Sequence, residues 1–159
     1  MLRNWLYVYV GNFVGAVFVA LFLSYWAEIV NVNVTGLAAQ LGKASIRIAE
    51  AKVSISWLTL FLRGLGANWL VCLAVGLSIA ADDVVGKIAG LWFPIMAFVA
   101  MGFEHSISNM FFIPLGMLNG ANVTLWQFVV LNLVPVTLGN IVGGAVFVGA
   151  AYWWVYSHS

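Results

Sequence analysis

A carboxylate and an imidazole stand side by side at Glu104-His105, within the stretch Gly102-Phe103-Glu104-His105-Ser106-Ile107-Ser108-Asn109-Met110. An imidazole titrates near neutral pH, so it can give or take a proton. A carboxylate beside it can tune that ring or orient the neighbouring backbone. The pair's surroundings decide what this chemistry is for. It lies midway along an apolar run that starts after Lys87 and ends near Asn119-Gly120, about 30 residues where roughly 20 suffice to cross a bilayer. Ionisable groups at that depth are costly unless they face protein or a water-filled cavity, and they mark polar pathways. The plainer alternative is a pair buried between helices to fix packing. Gly102 adds a second signal, because glycine adopts backbone angles closed to other residues and so lets the span break near Gly102 to Ser106. Non-helical backbone at membrane depth survives only where it is buried in protein or lines a cavity. His105 is therefore a candidate pore residue. Counted along the second half-helix, His105 and Asn109 are four apart and share a face. The positive end of that half-helix would point at the membrane middle, where it favours an anion.

Composition dictates the kind of element that can position such a site. The 159 residues are 64% hydrophobic and only 7% charged, against about 25% charged in soluble domains. This is the composition of an all-α integral membrane protein, with room for four spans and no sizeable extramembrane domain. A net charge of +1 gives no case for a nucleic-acid partner. The single cysteine, Cys72, sits in an apolar run, excludes an internal disulfide and reads as a small buried hydrophobe. No cofactor or metal is implied. A haem subunit would need paired histidine ligands and an enzyme a nucleophile with its base, but only His105 is in a span and His158 is at the tail.

A single transmembrane domain over 1–159 is expected, with spans at about 5–26, 57–81, 88–118 and 125–156. Span one carries Trp5, Tyr7 and Tyr9 at one end and Tyr25 and Trp26 at the other, as aromatic belts require. Its 22 residues are too long for a signal peptide. The linker from 27 to 56 holds Glu28, Lys43, Arg47, Glu50 and Lys52. Between 36 and 53, Leu37, Leu41, Ile46 and Ala49 recur among these charges in a helical rhythm, the pattern of an amphipathic helix lying along the interface. Lys52 is either a solvated charge or a cation guarding an entrance. Span two offers a small-residue face, Gly64, Gly66 and Ala67, around Asn68. Asp82-Asp83 and Lys87 make a hydrated turn. Pro94 and Pro114 flank the break in span three, each removing a backbone donor.

Span four contains Gly139-Asn140-Ile141-Val142-Gly143-Gly144-Ala145-Val146-Phe147-Val148, which repeats Gly11-Asn12-Phe13-Val14-Gly15-Ala16-Val17-Phe18-Val19 of span one. Three crossings separate the copies, so they run in opposite directions, and inverted repeats of this kind build channels and transporters. Asn12 reads as glue between helices. If span four closes a unit of three, span one closes an earlier unit whose first two spans are absent. A truncated chain is expected on that ground.

The motif Gly102-Phe103-Glu104-His105-Ser106, with Asn109-Met110 following, has Asn68-Trp69-Leu70-Val71-Cys72-Leu73-Ala74 upstream and Val134 to Gly144 downstream. In residues and spacing this resembles the formate/nitrite transporter family, over nearly the whole chain from Asn4 to Tyr156 and matching the last four of that family's six spans. The resemblance implies an aquaporin-like helical bundle, assembled as a homopentamer in the cell membrane among its lipids, each protomer with a pore for small monovalent anions. It implies that His105 is the central pore histidine and Lys52 the vestibule lysine. Asn68 and Asn109 become pore-facing polar residues, and Phe98 the aromatic of the inner hydrophobic constriction. Glu104 orients backbone or tunes the histidine. Met110-Phe111-Phe112-Ile113-Pro114 is more like the formate branch, with nitrite or hydrosulfide as further candidates. The family places the first linker outside, against the count of Lys43, Arg47, Lys52 and Arg63 there. The rival function is a structural or cofactor-binding subunit of a larger membrane complex.

Overall fold

The computed structural model describes residues 2–157, and His158 lies outside the described residues. Among the described residues every regular element is helical. Helix α1 (Leu2–Phe18) continues as a wider π-helical segment, Val19–Trp26, giving one apolar rod of 24 residues from Arg3. Helix α2 is Gly36–Ser54, α3 is Trp57–Ala80, α4 is Val84–Ala100 and α5 is Ser106–Leu118. A final rod of 31 residues, Gln127–Ser157, strings together a π-helical segment (Gln127–Leu133), α6 (Val134–Gly144), a second π-helical segment (Ala145–Ala150) and α7 (Ala151–Ser157). Three of these, Arg3–Trp26, Trp57–Ala80 and Gln127–Ser157, are long and apolar enough to cross a membrane, while α4 and α5 are shorter.

The helix starts follow local chemistry. Ser56 opens α3, its Oγ accepting from Thr59 N at 3.3 Å, and Asp83 opens α4, its carboxylate accepting from Gly86 N at 2.9 Å. Both satisfy amides that a first turn cannot pair internally. Thr124 and Gln127 cap each other reciprocally: Gln127 N donates to Thr124 Oγ1 at 3.2 Å and Thr124 N to Gln127 Oε1 at 2.8 Å. Pro94 and Pro114 both lie inside helices. The helix stops elsewhere, after Ala100, and resumes at Ser106.

The chain divides into two compact units, Met1–Ile55 with Ile107–Leu133 and Ser56–Ser106 with Val134–Ser159. In the first, Ala49, Met110, Ile113, Val123, Phe128 and Leu133 form the core, with Phe13 stacked on Phe128 at 6.2 Å between ring centroids. Helix α2 turns Gly42, Ser45 and Ala49 inward, a stripe at three- and four-residue spacing, and leaves Leu37 and Leu41 exposed. The buried stripe is small rather than apolar because α5 comes very close. A Cβ at Gly116 would run into Ala49 Cβ and stand 2.6 Å from the Ser45 carbonyl oxygen. Replacing Gly116 by Val should therefore cost about 3 kcal/mol, since backbone cannot step aside as a side-chain tip can. A lowered thermal midpoint of the purified protein would register it.

In the second unit, α3 packs along α6 through glycines. Gly139 faces Phe61 O and Leu65 N, Gly143 faces Leu65 O and Trp69 N, and Gly64 faces the Val136 carbonyl. Small residues let the two backbones approach, which is how helices bind one another where lipid supplies no hydrophobic drive. Leu60, Ala67 and Val136 are fully buried along this seam.

Candidate functional site

Between α4 and α5 the backbone leaves the helix for residues 101–105. Gly102 takes φ +66°, an angle that glycine adopts without steric penalty. The turn closes on α4 through Met101 N to Ala97 O, Gly102 N to Val99 O and Phe103 N to Phe98 O. Helices α3 and α6 meet further polar groups at its far end. Glu104 N donates to the Arg63 carbonyl of α3 at 3.3 Å. The Glu104 carbonyl accepts from Asn140 Nδ2 at 3.1 Å, and Ser106 N, the first amide of α5, donates to Asn140 Oδ1 at 2.9 Å. Asn140 Nδ2 also donates to the Gly64 carbonyl at 2.8 Å. One side chain on α6 thus clasps the end of the break that leads into α5 and ties it to α3, doing for α5 what an N-cap residue does from within the chain. Unmet backbone groups would otherwise be expensive among apolar helices.

Four of the residues singled out from the sequence belong to this unit. Glu104 is buried at 4% exposure and His105 is half-buried at the residue just before α5. The His105 ring lies 6.3 Å from that of Phe98, inclined at 43°. Asn68 Nδ2 donates to the Asn140 carbonyl at 2.7 Å, so Asn68 and Glu104 meet the same residue. Phe103, the residue beside Glu104, lays its ring over Gly66, where a Cβ would meet it at 2.5 Å.

The other two belong to the first unit. Lys52 is in the last turn of α2, and its carbonyl accepts from Asn132 Nδ2 at 2.9 Å. Asn109 is fully buried, and its Nδ2 donates to Asn132 Oδ1 at 2.8 Å. Asn132 therefore connects Lys52 and Asn109.

Sequence reasoning missed the roles of both organising asparagines: Asn140 enters it only within the repeat and the family motif, and Asn132 not at all. An amide inside an apolar span is itself a signal, because it must find a partner. Among the described residues, no three His, Cys, Asp or Glu side chains gather as a metal would require.

All-helical architecture with several apolar rods defines this as a membrane protein. The formate/nitrite transporter family matches residues 1–154, and the chain belongs to that family. It is 54% identical to a "Probable formate transporter" of Methanothermobacter thermautotrophicus, over 98% of this chain and 60% of that protein. Against the "Formate channel BtFdhC" of Bacillus thuringiensis the identity is 41%, over 98% of this chain and 57% of the relative. A solved "Pentameric formate channel with formate bound" superposes with a TM-score of 0.83 at 36% identity, over 98% of this chain and 66% of that one. The chain thus spans a little over half the length of these curated relatives.

Proposed function

We propose that this chain carries the histidine-bearing part of a channel for small monovalent anions, formate foremost, working as a homopentamer in the cell membrane. The observation that supports it most directly is the interrupted helix at 101–105. Arg63 O and Asn140 meet the amide and carbonyl of Glu104 and the amide of Ser106, and the break presents an imidazole beside an aromatic ring at the point where α5 begins. That is an arrangement for handling charge inside an apolar rod. The similarity to formate channels supplies the solute class.

In this reading Lys52 draws anions toward an entrance and Asn68 and Asn109 offer amides along the way. Phe98 narrows the passage. The first amides of α5 favour negative charge. His105 lowers the barrier by hydrogen bonding or by lending a proton, because a carboxylate alone in an apolar ring is prohibitive whereas its neutral acid is not. Glu104 orients the backbone that holds the histidine.

The deciding experiment is saturable formate flux into liposomes carrying the protein. Absence of flux above empty liposomes would sink the reading. Lys52→Gln should raise the half-saturating formate concentration about fivefold while the maximal rate changes little, the signature of lost uniform binding. Raising ionic strength should shrink the difference between variant and parent, since attraction by a charge is screened over about 8 Å at physiological salt.

A further inference from the structure

We propose that Asn132 is a positioning residue that sets Lys52 and Asn109 for anion handling, an inference that rests on the function proposed above. Its two amide atoms point to different elements. Nδ2 donates to the Lys52 carbonyl at 2.9 Å, and Oδ1 accepts from Asn109 Nδ2 at 2.8 Å. The first bond has a specific use. Lys52 is two residues from the end of α2, and the last four carbonyls of a helix have no partner in their own helix. Asn132 supplies one from outside, so the turn that carries the lysine is pinned. The second bond fixes the plane of the Asn109 amide, which is fully buried.

Asn132 is itself fully buried, flanked by Leu131 and Leu133, in the π-helical segment Gln127–Leu133 that packs against α2. A leucine would satisfy the packing of such a position without the cost of burying an amide. The amide is explained by what it orients.

Asn132→Asp separates orientation from mere packing, because a carboxylate still accepts from Asn109 but offers Lys52 O no donor. In liposomes the variant should raise the half-saturating formate concentration about fivefold with maximal flux within about twofold of the parent. In a Lys52→Gln background the same change should add nothing, since the two act through one group. Amide hydrogen exchange over residues 52–55 should quicken about tenfold, reporting a loosened last turn. Unchanged half-saturation, or a full additional rise on top of Lys52→Gln, would overturn the proposal. Should the aspartate fail to fold, Asn132→Gln, which carries the amide on a longer stem, is expected to give the same rise and its absence counts equally against. A parent protein without formate flux defeats the functional reading instead. Exchange then decides alone: quickening supports the pinned turn and no change overturns it.

Discussion

Replacing His105 by phenylalanine should lower proton-coupled formate uptake into liposomes by about a hundredfold, the low end of what a positioned acid–base group contributes. In the proposed channel, formate meets its barrier where an apolar ring strips water from it. A neutral acid passes that ring at a small fraction of the anion's cost, so a group that lends a proton at the right place changes the rate steeply. Phenylalanine keeps a ring of similar size at half-buried depth, next to Phe98 at 6.3 Å, and so leaves the packing near α5 in place. The thermal midpoint should accordingly stay within a few degrees of the parent. His105→Asn sharpens the result, since an amide can hydrogen bond but cannot titrate: residual flux should persist without the accompanying movement of protons. Both quantities come from one assay that follows internal pH alongside labelled formate. Proton-coupled uptake equal to the parent's in the phenylalanine variant would remove His105 from the mechanism.

The second large effect belongs to Asn140. Asn140→Leu deprives Ser106 N, Glu104 O and Gly64 O of their shared partner at once. Leaving a buried donor or acceptor unmet costs about 1–3 kcal/mol, and bonds within membranes average nearer 0.6 kcal/mol, so the sum should fall at about 3 kcal/mol. Gly64 O loses least, being a carbonyl within α3. Ser106 N loses most, as the first amide of a helix. The expected outcome is a poor yield of monodisperse protein and rapid proteolysis near residues 101–105. Asn140→Asp keeps the acceptor for Ser106 N and gives up both donated bonds, so it should fall between parent and leucine variant. Equal stability of all three proteins would show that the clasp is incidental.

The helices could be read from the sequence because each is fixed by short-range chemistry. Apolar runs have lengths, Thr124 and Gln127 cap each other three residues apart, and a glycine among bulky residues signals an unusual φ. The membrane class and the family followed from the same kind of local evidence. What could not be read was pairing at a distance. Nothing near Asn140 in sequence names Gly64, 76 residues away, or Glu104, 36 away, as its partners. Likewise the helical rhythm of 36–53 revealed a helix but not its inward face. Leu37 and Leu41 lie outside because Gly116 of a distant helix draws Ser45 and Ala49 close. Spacing reports which residues share a side of an element, whereas close approach by another backbone decides which side is turned in. The prolines flank the break without making it. Each weakens a helix locally, yet both stay helical while the chain departs at Gly102, where α3 and α6 provide for the exposed backbone.

The glycine seam between α3 and α6 joins residues far apart in the order of synthesis. Phe61 reaches the ribosome exit long before Gly139, and at about 5–20 residues per second the interval is on the order of ten seconds. Through that delay α3 sits in lipid with its small-residue groove bare and the Asn68 amide without its acceptor on Asn140. Nascent α3 is thus a ready substrate for whatever shelters half-made helices during insertion, and substitutions along Gly64 and Ala67 should lengthen its stay there.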